Sequence, residues 1–298
     1  MIKFKELLFL KNLKGVGKAK IYKKYWDILS NCKDFDDLIS KIEKDSKFSR
    51  EDIDKAINNA QVVYDDVLNN SEIHVITVFD DDYPEKLSVM ENKRPLILYL
   101  KGNVDSLSKA NIAFIGTRKP SDESEKFEKE MVKSIVNSSN RVIISGLALG
   151  CDKIAHQATV DDNKATIAIL PSGIDVITPA SNKKLAEDIL ETGGCLLTEY
   201  EPGAKAFKGT YVERDCLVAA FSDAIFVVEC GLNSGTMHTV ESALKYDKMI
   251  FTFIPQDIPE GEYEGNLSID DAIGITDIND YDDDLITSKK GFGQQTLI

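Results

Sequence analysis

Residues 112–173 read IAFIGTRKPSDESEKFEKEMVKSIVNSSNRVIISGLALGCDKIAHQATVDDNKATIAILPSG. Three apolar runs stand out, Ile112–Ile115, Val142–Ser145 and Thr166–Leu170. Each is dominated by Ile, Val, Leu or Phe without polar alternation, as in strands buried on both faces. Between them, Ser124–Ser138 and Cys151–Val160 carry helical periodicity. The alternation continues outward, with apolar runs at Cys195–Glu199, Ala224–Glu229 and Met249–Phe253. Helical patterns at Asn182–Glu191, Tyr211–Phe221 and Gly235–Tyr246 separate these runs. This repeat predicts an α/β fold, a doubly wound, mostly parallel sheet with helices on both faces. His74–Val78 and the segment 94–102 precede it and read as one or two added edge strands, punctuated by Pro84 and Pro95.

Ligands of open α/β sheets bind outside the carboxyl ends of the strands. There, Ile115 leads into Gly116-Thr117-Arg118-Lys119-Pro120-Ser121, and Ser145 into Gly146-Leu147-Ala148-Leu149-Gly150. Leu170 leads into Pro171-Ser172-Gly173, and Glu229 through Cys230-Gly231-Leu232-Asn233 to Ser234-Gly235-Thr236. Small residues let backbone approach an anion, and helix N-termini supply N–H donors, so four converging loops predict an anion pocket. The structural alternative is that the glycines only permit tight turns. No loop matches the dinucleotide fingerprint or the P-loop, so no redox cofactor or NTPase is implied and no cofactor is expected. Arg118 is the first candidate ligand, because its planar fork suits a phosphate. A salt bridge within this acidic protein is the alternative role.

The runs GTRKPS (116–121), SGLALGCDKIAH (145–156), TIAILPSGIDVITPASNKKL (166–185), LLTEYEPG (196–203), YVERDCLVAAFSDAIFVVE (211–229) and NSGTMHTVESAL (233–244) resemble the DNA-processing protein A (DprA/Smf) family. Order and spacing agree over residues 72–255. The resemblance implies a Rossmann-like domain that binds single-stranded DNA, delivers it to the RecA recombinase in natural transformation, and acts in the cytoplasm as a dimer without catalysis. On this basis Arg118, Lys183, Lys208 and Arg214 are expected to contact phosphates. Gly116, Thr117, Ser145, Gly146, Ser234, Gly235 and Thr236 would supply backbone or hydroxyl donors. Phe207 or Tyr211 would stack on a base, or else belong to the core. The chain departs from the family where Arg-Asn-Arg is common. Here it reads Arg214-Asp215-Cys216, and Asn233 stands where a base is frequent. Each missing phosphate contact weakens binding and lowers its salt dependence.

Three regions are expected: helices over 1–70, the sheet domain over 71–255, and an acidic, partly flexible tail over 256–298 in place of the family's winged helix. The first carries Leu13-Lys14-Gly15-Val16-Gly17-Lys18, which resembles a helix-hairpin-helix turn that offers amides and lysines to a phosphate. A plain helical hairpin is the alternative. Ser49 and Asp52 read as a capping box for a helix over 50–68. The tail region 255–298 holds eleven acids against two lysines and is expected to have some order at Leu267–Ile278. Its end, Gln294–Ile298, resembles a peptide that docks on sliding clamps.

Net charge is −14, so a nucleic-acid site must be a local basic patch in an acidic field. No apolar run reaches the ~18–20 residues of a membrane span, and the start reads as no signal peptide. The five cysteines are scattered and read as reduced thiols. Asp152 and His156 share a helix face, as do His238 and Glu241, but the three histidines form no metal-ligand pattern and no metal is expected. Two alternatives remain: a nucleotide or small-anion sensor, and a nucleotide hydrolase like the LOG (lysine decarboxylase-like) group. The latter needs a loop glutamate, and Thr239 stands in its place, with Glu241 two residues on.

Overall fold

The computed structural model describes residues 3–259 and 263–293. The chain opens with helices α1 (Phe4–Asn12), α2 (Lys18–Lys20) and α3 (Trp26–Ser30), the last two joined by a wider turn at Ile21–Tyr25. Helices α4 (Phe35–Glu43) and α5 (Arg50–Leu68) follow. The Ser49 hydroxyl accepts from Asp52 N (3.1 Å) and the Asp52 carboxylate accepts from Ser49 N (3.3 Å), so α5 starts on a reciprocal cap.

Next come β1 (Ile73–Thr77), β2 (Ile97–Gly102), β3 (Asn111–Ile115), α6 (Asp122–Ser138), β4 (Val142–Ser145), α7 (Cys151–Asp161) and β5 (Thr166–Ile169). They are followed by α8 (Lys183–Glu191), β6 (Cys195–Thr198), α9 (Lys208–Phe221), β7 (Ala224–Val227), α10 (Thr236–Lys245) and β8 (Met249–Phe253). After β8 lie α11 (Glu264–Leu267), β9 (Ile273–Ile275) and α12 (Asp284–Gly293).

One sheet of nine strands runs β1-β2-β6-β5-β4-β3-β7-β8-β9 among the described residues. The β1–β2 and β2–β6 pairs are antiparallel, and all others are parallel. The fold is the expected Rossmann-like α/β arrangement, with β1 and β2 as the added strands. Alternation along the strands divides the core. Ile112 and Phe114 of β3 join Phe226 of β7 on one face, while Ala113 and Ile115 join Ile225 and Val227 on the other. The Phe114 and Phe226 rings stack with centroids 4.9 Å apart, in register across the pair. Toward β1, the first face is covered by the N-terminal helices. Phe4, Leu7 and Ala60 share one apolar cluster with Tyr99 of β2, Ala168 of β5 and Leu196 of β6.

The segment after β8, expected as an acidic, partly flexible tail with some order at Leu267–Ile278, joins the sheet. β9 pairs parallel with β8, placing Phe253 opposite Ile275. Tyr263, Ile275 and Ile286 are buried in the core of the first face, and Arg141 pairs with Asp283. The physical reason is spacing. The few apolar residues are too irregularly placed to show a period, yet these three are buried in one apolar cluster with the sheet.

Candidate nucleic-acid interface

The chain steps from β3 outward to β6 and then returns to β7 beside β3, so the carboxyl ends of β3 and β7 flank the point where strand order reverses. That is where such sheets open a crevice. A pocket of about 500 Å³ lies there.

Its β3 wall is Gly116, Thr117 and Arg118. A Cβ on Gly116 would sit 2.4 Å from Cys151 Sγ, so only glycine lets this turn lie against α7. Thr117 N donates to Glu229 O (2.7 Å) and Thr117 O accepts from Cys151 N (3.1 Å), latching the turn to two neighbours. Arg118 is exposed, its guanidinium carbon 5.6 Å from the centre of the Tyr211 ring. The opposite wall is the start of α10, with Ser234, Gly235 and Thr236. The Ser234 hydroxyl is shielded from solvent yet has no hydrogen-bond partner. Lys208 and Tyr211, from the first turn of α9, close a third side.

The floor is an ion cluster. The Arg214 side chain is only 6% exposed. It fills the space a side chain on residue 146 would need, since a Cβ on Gly146 would lie 1.1 Å from its Nη1. Nη1 is 3.5 Å from Asp152 Oδ2 and donates to Ile169 O (3.4 Å). Nε is 2.9 Å from Asp215 Oδ1, but its N–H has no aligned acceptor, so this contact is a charge pair without a well-formed hydrogen bond. Asp152 Oδ2 also accepts from Gly146 N and Ala148 N, both 3.2 Å, and so holds the loop after β4. Burial pushes the Asp215 carboxyl up to about 6, with Asp152 adding to the rise and Arg214 and His238 opposing it. His156 turns away from Asp152. It is fully buried, its Nδ1 is 2.8 Å from Thr166 Oγ1, and burial lowers it to about 3. No acid–base pair forms between the two.

The pocket thus gathers Gly116, Thr117, Arg118, Gly146, Lys208, Tyr211, Arg214, Ser234, Gly235 and Thr236 of the expected residues. Three fall elsewhere. Ser145 is buried and its hydroxyl donates to Phe114 O (2.7 Å), so it is spent within the sheet. Lys183 is exposed at the start of α8, off the pocket. Phe207 is 66% exposed immediately before α9, next to the pocket residue Lys208. The loop after β5 does not reach the pocket either. It is covered by residues 201–204, with Gly173 N donating to Ala204 O (2.8 Å) and Gly203 N to Asp175 (2.7 Å). Three loops therefore converge, joined by the start of α9.

Sequence reasoning missed two supporting residues. Asn182 is buried, and its amide donates to the carbonyls of Leu147 (2.9 Å) and Ala148 (3.1 Å), bracing the loop after β4 from α8. Asn266, after β8, donates to the carbonyls of Val228 (3.0 Å) and Phe253 (3.1 Å) and accepts from Cys230 N (2.7 Å). It ties down the loop that leads to Ser234. The asparagine in the turn at 178–182 was visible as a signal; nothing in the sequence marked Asn266.

Elsewhere, the lysines of the helix-hairpin-helix-like turn are largely engaged. Lys18 pairs with Glu199, Lys24 with Asp45 (2.7 Å), and Lys20 donates to Gly15 O (2.9 Å). A wider depression of about 980 Å³ at the amino-terminal end of the sheet carries five acids against Lys86 and Lys248 among its lining residues, the wrong sign for an anion. Among the described residues no cluster of three His, Cys, Asp or Glu could hold a metal, and no helix is long and apolar enough to cross a membrane. Glu241 is exposed and off the pocket, and Thr239 is buried at its wall.

A sequence profile of the DNA recombination-mediator protein A family matches residues 74–282. The chain belongs to this family. Among its relatives, DNA processing protein DprA of Streptococcus pneumoniae is 33% identical over 189 residues, which are 63% of this chain and 65% of that one. Protein Smf of Borreliella burgdorferi is 31% identical over 263 residues, 83% of this chain and 78% of its own. The X-ray structure of the S. pneumoniae family member superposes with a TM-score of 0.75 at 26% identity, covering 93% of this chain and 95% of that one. A Helicobacter pylori family member, whose structure was described for its single-stranded DNA binding mode, gives 0.62 at 28% identity over 74% and 97%.

Proposed function

We propose that this chain binds single-stranded DNA across the pocket and hands it to a RecA-type recombinase in the cytoplasm. The observation that carries the reading is the gathering of Arg118, Lys208 and Arg214 with the unpaired Ser234 hydroxyl and the start of α10 at one sheet end, in a chain of net charge −14. The description of the H. pylori relative as a single-stranded DNA binder supports it. In this reading Arg118 and Lys208 bind phosphates. The amides of Gly116, Gly235 and Thr236 and the hydroxyls of Thr117 and Ser234 supply further donors, whereas the Thr117 and Gly146 amides are already bonded within the protein. Arg214 acts from below as a fixed charge. Phe207, exposed beside Lys208, offers a face for base stacking, and Lys183 extends the path. Action as a homodimer in natural transformation follows from the family resemblance. Docking of Gln294–Ile298 on a sliding clamp concerns residues outside those described.

A second reading, a nucleotide or small-anion sensor, is favoured by one feature. Two carboxylates already engage Arg214, which leaves little net positive charge for a polyanion. Titration of labelled oligo-dT at several salt concentrations, with mononucleotides as competitors, separates the two. Salt-sensitive binding that mononucleotides do not displace supports the DNA reading. Failure to bind oligo-dT at about 50 mM salt, while a mononucleotide binds, overturns it.

A further inference from the structure

We propose that Asp215 sets the anion affinity of the pocket by competing with a bound phosphate for Arg214, so that the pocket takes up DNA more tightly as the solution is acidified. This inference rests on reading the pocket as the DNA phosphate site.

The two carboxylates of the floor differ in how they are held. Asp152 accepts two backbone N–H groups besides facing Arg214, and these bind it to the loop after β4. Asp215 faces Arg214 through one 2.9 Å contact with a misaligned N–H. Its side chain is 19% exposed, against 6% for Arg214, so both line the pocket and the carboxylate is the more open to solvent of the two. Of the charged lining residues, Arg118, Lys208 and Arg214 face Asp152 and Asp215, leaving one net positive charge with His238 neutral. Neutralising Asp215 doubles that charge and frees one edge of the guanidinium.

The charged and titratable groups around Asp215 come from each neighbouring element. Lys208, Tyr211 and Arg214 lie on its own helix, Asp152 on α7, His238 on α10 and Arg118 after β3. Burial already holds the Asp215 carboxyl at about 6 in the free protein. A phosphate placed in the pocket adds negative charge beside it and raises that value further. The bound state therefore prefers the protonated acid. Affinity must rise as pH falls through the bound-state value and level off below the free-state value of about 6. A rise of one unit on binding corresponds to about tenfold in affinity and to uptake of about half a proton near pH 6.5.

The His238 imidazole also lines the pocket, so the experiment separates its contribution from that of Asp215. Labelled oligo-dT is titrated by fluorescence anisotropy between about pH 5.5 and 8.5 at constant ionic strength, with the intact chain, Asp215→Asn and His238→Ala, each checked by its melting temperature. The intact chain should gain about tenfold in affinity on acidification. Asp215→Asn should bind about tenfold more tightly than the intact chain at the alkaline end and show a flat profile, and His238→Ala should keep the slope. A slope that survives in Asp215→Asn, or vanishes in His238→Ala, overturns the proposal. Should Asp215→Asn not fold, the other two proteins decide: a flat profile for the intact chain overturns it, and a slope retained in His238→Ala supports it. If none of the three binds oligo-dT at any pH, the DNA reading of the pocket fails, and this inference with it.

Discussion

Replacing Arg118 with alanine tests the pocket most directly. Arg118 is exposed on the β3 loop, and among the described residues it has no ion pair; its neighbour is the Tyr211 ring at 5.6 Å. A phosphate about 4 Å from the guanidinium gains about 1 kcal/mol at the dielectric of water and about 4 kcal/mol at that of a protein surface. Exposure places Arg118 toward the lower figure. The contact with Tyr211, worth about 0.5–1 kcal/mol, is present with or without DNA and largely cancels. We therefore expect Arg118→Ala to cost about 1–2 kcal/mol, or about 5- to 30-fold in affinity. Removing one phosphate contact should also lower the slope of log K against log salt by about 0.7. Fluorescence anisotropy of labelled oligo-dT across a salt series reads both quantities, and the melting temperature should not move. A folded Arg118→Ala protein with unchanged affinity and unchanged slope would show that no phosphate sits at this wall.

Three further substitutions probe the frame around the pocket. Glu128 is fully buried with no hydrogen-bond partner for either carboxylate oxygen, and burial, then the Asp152 charge, holds it well above the usual carboxylate range. Its contribution to stability is complete below the unfolded value near 4.5 and is lost as pH rises through the folded one. Glu128→Met should therefore raise the unfolding free energy by about 1–3 kcal/mol at pH near 8 and by less near pH 4, in urea titrations at both; an equal or negative effect at pH near 8 contradicts this. Asn266→Ala strands three buried backbone groups, so it should cost more than about 2 kcal/mol with the urea m-value unchanged, and a loss within measurement error would refute the tie. Gly146→Ala forces the Arg214 guanidinium aside, so it should cost about 1–3 kcal/mol and shift oligo-dT affinity. Wild-type values in both assays would mean that the guanidinium does not occupy that space.

The fold was legible in the sequence because parallel strands buried on both faces leave an unbroken apolar signature. Val142–Ser145 and Met249–Phe253 were bounded to the residue. Cys195–Glu199 overran by one, since the Thr198 hydroxyl turns inward to Ser172 O (2.8 Å) and ends β6. The loops of the pocket were legible through their glycines, but the state of its charges was not. Nothing local reveals that Arg214 lies beneath residue 146 or that Ser145 bonds to Phe114, because those are contacts between strands and helices distant in sequence. The segment after β8 was legible only in part, for a compositional reason. Its acids dominate the count, while the four buried apolar side chains that attach it, Tyr263, Ile269, Ile275 and Ile286, fit no period.

The tie made by Asn266 also bears on the order in which the protein becomes competent. Chains emerge from the ribosome amino end first, and domains generally complete as units. Arg118, Lys208, Arg214 and Ser234 all precede Asn266 in that order. A nascent chain therefore displays every cation of the pocket before the clamp on its β7 wall exists. The carbonyls of Val228 and Phe253 and the amide of Cys230 have no side chain to meet them until residue 266 arrives. The ties on the β7 side of the anion site can therefore close only after residue 266 has been made.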